Sequence, residues 1–255
     1  MEHISLQANT IFHLGPIAIT NSIIAAWLAI LALTVFFLLV TRRMQTIPRG
    51  IQNFGEMVIE MLLNLCTTVT QDRKKAERFL PWGATFFLFI IVSNWMELIP
   101  GFAAFGFKEV NEGAETIIPI LRSANTDLNT TLAFAVISVI ATQFMGIAAI
   151  GFFKHFGKFI SFKSPIGFFV GILEIISEIA KVISFSFRLF GNIFAGEVLI
   201  SVISALISVI VPTPFMGLEL LVGLVQATVF SILTLVYLTV ASSAPHGMKE
   251  HQVEH

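Results

Sequence analysis

The chain has 255 residues, of which 56% are apolar and only 12% charged, with 26 phenylalanines and a mean hydropathy of +0.87. Domains that face water on all sides carry roughly 25% charged residues, so this chain reads as a single integral membrane domain over residues 1–255. A net charge of −1 offers no basic face for nucleic acid, and one cysteine, Cys66, cannot form an internal disulfide.

The amino terminus, MEHISLQANTIFHLGP, lacks a positive n-region and carries Glu2. It is a poor secretory signal, and the first apolar segment is expected to be retained. A helix needs about 20 mostly apolar residues to cross the hydrocarbon core, and Asn21 to Val40 is the first such segment. GIQNFGEMVIEMLLNLCTTV follows, with Met57, Met61, Leu65 and Val69 one helical turn apart. That spacing predicts an amphipathic helix at the membrane interface or against a partner, and a plain connecting helix fits it equally. Pro81 to Pro100 and Thr131 to Phe153 are the next spans, and Phe215 to Ala241 is the last.

Pro165 to Val211 has no internal proline. As one helix it would be about 70 Å long, over twice the hydrocarbon thickness of about 30 Å. The expectation is a long, strongly tilted or membrane-parallel helix, or a re-entrant hairpin, spanning 166–211. The fold class is therefore an all-α membrane protein with about five transmembrane segments and an interfacial amphipathic helix.

Basic residues set the direction of the spans. The segment after the first span holds Arg42, Arg43, Arg49, Arg73, Lys74, Lys75 and Arg78. The loop Gly101 to Asn129 has only Lys108 and Arg122, against Glu109, Glu112, Glu115 and Asp127; the loop after the third span has Lys154, Lys158 and Lys163. This alternation puts the amino terminus outside and the tail, 242–255, in the cytoplasm. The basic loops fit a bacterial inner membrane.

Motifs for covalent chemistry are missing. In GFFKHFGKF, Gly151 and Gly157 are one residue too far apart for a phosphate loop, and Phe159 stands where Ser or Thr is needed. There is no HExxH, CxxC or nucleophile elbow. His246, His251 and His255 fall in a polar end read as solvated. No cofactor and no metal is expected.

The informative residues are charges inside apolar helices. On a 100° wheel Glu174, Glu178, Lys181, Arg188 and Asn192 share one stripe, with Ser184 at its border, and Glu197 lies half a turn from Arg188. Glu174, Glu178 and Lys181 are spaced for local ion pairing. Arg188 has no acid three or four residues away on either side. An unpaired arginine at membrane depth costs between about 3 and 17 kcal/mol, so a partner is expected, from another chain. The last helix carries a matching line of Glu219, Gly223, Gln226, Phe230 and Tyr237. Carboxylates thus approach a permanent cation from both sides without one continuous line, which suits proton transfer in two half-paths with an electrostatic block between them.

SFRLFGNIFAGE (Ser186 to Glu197) followed by LVQATVFSILTLVYL (Leu224 to Leu238) closely resembles subunit a of the rotary F-type ATP synthase. SNWMELIPG (Ser93 to Gly101) and SANTDLNTTLAFA (Ser123 to Ala135) agree, in the family's order. The resemblance implies a membrane stator beside a rotating c-ring, with the peripheral-stalk subunit b and lipid as its other partners. It is a non-catalytic component of the proton-transporting synthase. Arg188 matches the essential arginine, which stays charged because its pKa is above about 12. Glu197 and Glu219 match the paired polar positions of the outer half-channel; many relatives have a histidine at one of them. Asn192 and Gln226 match polar neighbours of the arginine, Glu174 the acid toward the cytoplasm, and Asn94 and Glu97 polar sites on an earlier span. An ion-coupled secondary transporter is the alternative, but no paired repeats or Gly/Pro-broken helices are visible. A structural anchor would have no use for Arg188, Glu197 and Glu219.

Overall fold

The computed structural model describes residues 8–15, 17–42, 44–99, 101–102, 106–111, 114–157, 165–206 and 211–242. The histidines of the tail, Arg43, Lys158 and Lys163 lie outside them. Two short antiparallel hairpins, β1 (Thr10–Leu14) with β2 (Ile17–Thr20) ahead of the first helix and β3 (Gly106–Asn111) with β4 (Ala114–Pro119) between the third and fourth, accompany the helices among the described residues. The helices are α1 (Asn21–Thr41), α2 (Ile51–Thr70), α3 (Arg73–Glu97), α4 (Leu128–Ile150), α5 (Phe152–Phe156), α6 (Pro165–Leu206) and α7 (Pro212–Ser242). By length and composition α1, α3, α4 and α7 can each cross a membrane. Together with α6, this is the all-α membrane fold that the composition called for; the hairpins are its one addition.

Helix boundaries differ from the apolar windows because hydropathy reads the solvent, whereas caps read the chain. Asp72 accepts from the Lys74 amide, so α3 begins with the charged turn Arg73–Glu77 and carries Pro81 inside it. Asp127 accepts from the Asn129 amide, so α4 begins at Leu128, and it ends at Gly151, whose φ of 91° breaks the helix before α5. Asp127 also accepts from the Ser22 hydroxyl at 2.8 Å, which fastens α1 to the start of α4.

Of the long apolar region, Pro165–Leu206 is one unbroken helix. At 42 residues, α6 is about 63 Å long, about twice the hydrocarbon thickness, a length that an oblique course accommodates. The re-entrant alternative is not taken, and the hairpin is the one α6 makes with α7. Their contacts ascend α6 while descending α7: Lys181 with Tyr237, Phe185 with Phe230, Asn192 with Gln226 and Gly196 with Glu219.

The core lies where α3, α4, α6 and α7 meet, around Phe86, Ile90, Ala135, Phe185, Leu189, Ile193 and Phe230. Small polar side chains join the helices: Ser138 to Thr234 at 2.9 Å and Thr131 to Ser186 at 3.2 Å, the usual interhelical bonds of membrane bundles. Large apolar side chains such as Trp27, Leu31 and Leu38 on α1 and Phe144 on α4 face outward, as lipid contact demands.

In α2 the Met57–Met61–Leu65–Val69 line divides: Leu65 and Val69 pack, partly buried, against the core, whereas the two methionines stay outside it. Gln52, Gly55, Leu62, Cys66 and Thr70 are buried, whereas Met57 and Met61 are exposed. Gly55 allows the approach, since a β-carbon there would meet Val40 of α1 at 2.8 Å. The methionines lie on a second apolar face with Ile51 and Phe54, as an interfacial helix requires.

Candidate functional site

Three features stand in order along α6. Glu174 is roughly 21 Å from Arg188 along the axis, and Glu197 roughly 14 Å beyond it, at 1.5 Å per residue. Arg188 is exposed, and its Nη2 donates to the Ser184 hydroxyl, one turn back, at 3.2 Å. Among the described residues no ion pair joins Arg188 to an acid of this chain. The other intramembrane cation of α6 is occupied: Lys181 pairs with Glu178 at 2.6 Å and lies 4.8 Å from the centre of the Tyr237 ring. The i, i+3 pairing read for that end of the stripe is present.

Beyond Arg188, Asn192 Nδ2 donates to Gln226 Oε1 of α7 at 2.8 Å. Gln226 is buried, and its Nε2 finds no partner among the described residues. Asn125 Nδ2 donates to Asn94 Oδ1 at 2.6 Å, and Asn94 Nδ2 to the Gly223 carbonyl at 3.4 Å. The Trp95 indole donates to the Leu220 carbonyl at 3.1 Å. The close packing of α3 on α7 rests on Gly223, where a β-carbon would be 3.0 Å from that of Asn94.

The next group is charged. Arg122, on the segment before the short 3₁₀ turn Ala124–Thr126, pairs with Glu197 Oε2 at 3.1 Å. Glu97, at the end of α3, lies within electrostatic reach of Glu197, Glu219 and Arg122. The carboxyl group of Glu219 rests on Gly196, so closely that a β-carbon at 196 would overlap it. Four elements therefore bring three carboxylates and one guanidinium together. Among the described residues no group of three or more His, Cys, Asp or Glu is arranged to hold a metal ion.

At the other end of α6, Glu174 is half-buried and stands apart from these clusters. One turn on, Glu178, with Gln143 of α4 and His155 of α5, lines a groove of about 410 Å³. His155 Nε2 is 2.6 Å from Gln143 Oε1. The structure thus unites Asn192 with Gln226 and groups Glu197 with Glu219, and keeps Glu174 on the far side of Arg188. Arg122 was legible only as a loop charge. Its partner is 75 residues away, and the one local signal was its position directly before the polar run SANTD.

An α-helical membrane bundle with a cation held between two separated acidic groups belongs to the class of intramembrane ion conductors. The family model described as ATP synthase A chain matches residues 23–239. The ATP synthase subunit a of Moorella thermoacetica is 35% identical over 231 residues, 89% of this chain and 93% of its own length. That of Campylobacter jejuni is 34% identical over 239 residues, 92% and 91%, and that of Gloeobacter violaceus 33% over 247 residues, 96% and 90%. The chain belongs to the ATP synthase subunit a family, as its motifs indicated. With membership go an integral membrane location, assembly with other ATP synthase subunits and proton translocation as the membrane stator; a secondary transporter is not favoured.

Proposed function

We propose that the residues of this single membrane domain divide the family's task as follows. A proton enters from the outer side through the Glu197 and Glu219 cluster and moves past Asn192 and Gln226 to a carboxylate on a rotating c-ring. Arg188 attracts that carboxylate in its ionised form and blocks direct passage between the two half-paths. After a turn through lipid the proton leaves on the cytoplasmic side near Glu174. The buried amides of Asn125 and Gln226 have polar atoms that bridging water satisfies in such paths. Each proton crossing 100 mV supplies roughly 2.3 kcal/mol.

The loop charges favour a bacterial inner membrane with the amino terminus outside and the tail cytoplasmic, where subunit b of the peripheral stalk would brace the chain. The observation that carries the reading is the exposed Arg188 guanidinium, which bonds Ser184 while Lys181, two turns away, is held by Glu178. A cation needed only for packing would be tied in the same manner. The experiment is ATP-driven proton pumping in inverted membrane vesicles that carry the assembled complex. Arg188→Ala is expected to reduce pumping to background while ATP hydrolysis persists, and pumping at the unaltered rate would refute the assignment.

A further inference from the structure

The connection between α1 and α2 is basic and braced from within. Gln52 is buried, and its carboxamide clasps the backbone of Gln45, seven residues earlier. Its Oε1 accepts from the Gln45 amide at 3.0 Å, and its Nε2 donates to the Gln45 carbonyl at 2.9 Å. The same Nε2 donates to Glu56 Oε1 at 2.8 Å. The clasp closes the loop on itself, and Pro48 fixes one more of its dihedrals. Arg49 is therefore carried on a loop with few ways to rearrange.

Against this loop lies a cavity of about 410 Å³, lined by Leu39 and Val40 of α1, by Gln45 and Arg49, and by Ile51 and Gln52 of α2. Its cation is not neutralised within the chain. Arg49 is exposed and makes no ion pair among the described residues, and the same holds for Arg42, two residues past Val40. No acid stands between Arg42 and Glu56 in the sequence, and Glu56 already accepts from Gln52. Met44, Ile47 and Phe54, from the same connection and the first turn of α2, expose large apolar side chains. Because α1 is a span, its last turn, with Leu39 and Val40, lies at the level of lipid headgroups.

We propose that this cavity holds an anionic phospholipid, with Arg49 on the phosphate and an acyl chain along Leu39, Val40 and Ile51. A guanidinium matches phosphate oxygens in a forked geometry. Free phosphate would use the cation and leave the aliphatic wall bare, and a zwitterionic lipid would bring its own cation toward Arg49. An anionic amphiphile satisfies both features. Gln52 is the positioning residue: its donors are spent on the chain, and it holds the loop that presents Arg49. A lipid bound here joins the end of α1 to the start of α2 at the membrane surface. The inference stands apart from the roles of Arg188, Glu197 and Glu219, and it is the same for either direction of the spans.

The test uses the assembled synthase in phosphatidylcholine proteoliposomes. They carry, as a minor component, photoactivatable phosphatidylglycerol or photoactivatable phosphatidylcholine with the same acyl chains. After illumination the labelled peptides are identified by mass spectrometry. Phosphatidylglycerol is expected to label residues 39–52 about five-fold more than phosphatidylcholine does. Arg49→Gln should reduce that labelling to the phosphatidylcholine level. Leu39→Trp, which fills the cavity and leaves both arginines in place, should abolish the preference as well, and it decides the matter should Arg49→Gln not assemble. Millimolar inorganic phosphate should not compete. Equal labelling by the two lipids, or a preference that survives either substitution, would overturn the proposal. Displacement by inorganic phosphate would overturn it in favour of a free anion, and no labelling of residues 39–52, as a covering subunit would produce, would overturn it too. Failure of the stator reading looks different: pumping would survive Arg188→Ala, whatever the labelling shows.

Discussion

Asn192 and Gln226 face each other across the α6–α7 hairpin, the Nδ2 of one donating to the Oε1 of the other at 2.8 Å. The bond lies one turn beyond Arg188, and it sets the register of the hairpin at the level where the cation is displayed. Interhelical hydrogen bonds in membranes contribute about 0.6 kcal/mol on average and up to about 1.7, so its larger effect is on geometry.

If the two amides act as one unit, their substitutions are not additive. Asn192→Ala and Gln226→Ala are each expected to lower ATP-driven pumping several-fold, with the double variant no worse than the poorer single one. Pumping rates at equal amounts of assembled complex are the check, and losses that multiply would indicate two independent roles.

The seat of Glu219 on Gly196 gives a steric prediction. The nearest atoms are the tip of a flexible side chain, so Gly196→Ala should leave the complex assembled while displacing the carboxyl group from its place beside α6. Synthesis should fall several-fold. Gly196→Ala combined with the shorter Glu219→Asp should recover part of it, and the gradient-driven rate measures both.

Lys181 is held by an ion pair and by an aromatic face, and the two can be separated. Tyr237→Phe retains the ring beneath the ammonium and should leave the thermal stability of the membrane sector unchanged. Tyr237→Leu should lower it by about 0.5–2 kcal/mol. Equal losses for both variants would assign the stabilisation to the phenol hydroxyl instead.

Cys66 lies on α2, outside the spans, and is buried. Desolvation pushes its thiol up from 9.0 to about 11. The thiolate is the reactive form. Being raised, this pKa favours the neutral thiol in the fold, a contribution present below pH 9 and lost as pH rises toward 11. Maleimide labelling at pH 8 should be at least about a hundred-fold slower in the native complex than in the unfolded chain, accelerating between pH 9 and 11. Rapid labelling of native complex at pH 8 would show that α2 is not packed on its neighbours.

What the sequence disclosed followed the range of the interaction concerned. Arg188 was conspicuous because pairing within a helix is a matter of three or four residues, and none of those positions is acidic. The Asn192–Gln226 bond was implicit in two polar stripes on helices joined in a hairpin. The Arg122–Glu197 pair was hidden, because a loop residue has no periodicity to mark its direction and its partner is distant in the chain. Most of the packed face of α2 escaped for a related reason: small residues such as Gly55 and Cys66 govern close approach but weigh little in an apolar pattern, whereas the methionines dominate it. Charged turns at the start of α3 concealed eight helical residues from a reading based on hydropathy.

The central claim concerns what faces Arg188, and a density map of the assembled complex in its own membrane sector tests it most directly. The expected result is the Arg188 guanidinium within about 4 Å of a carboxylate on a neighbouring ring subunit, with Glu197 and Glu174 on opposite sides of that contact. A guanidinium paired instead with a glutamate of this chain, or turned toward lipid with no ring subunit beside it, would contradict it.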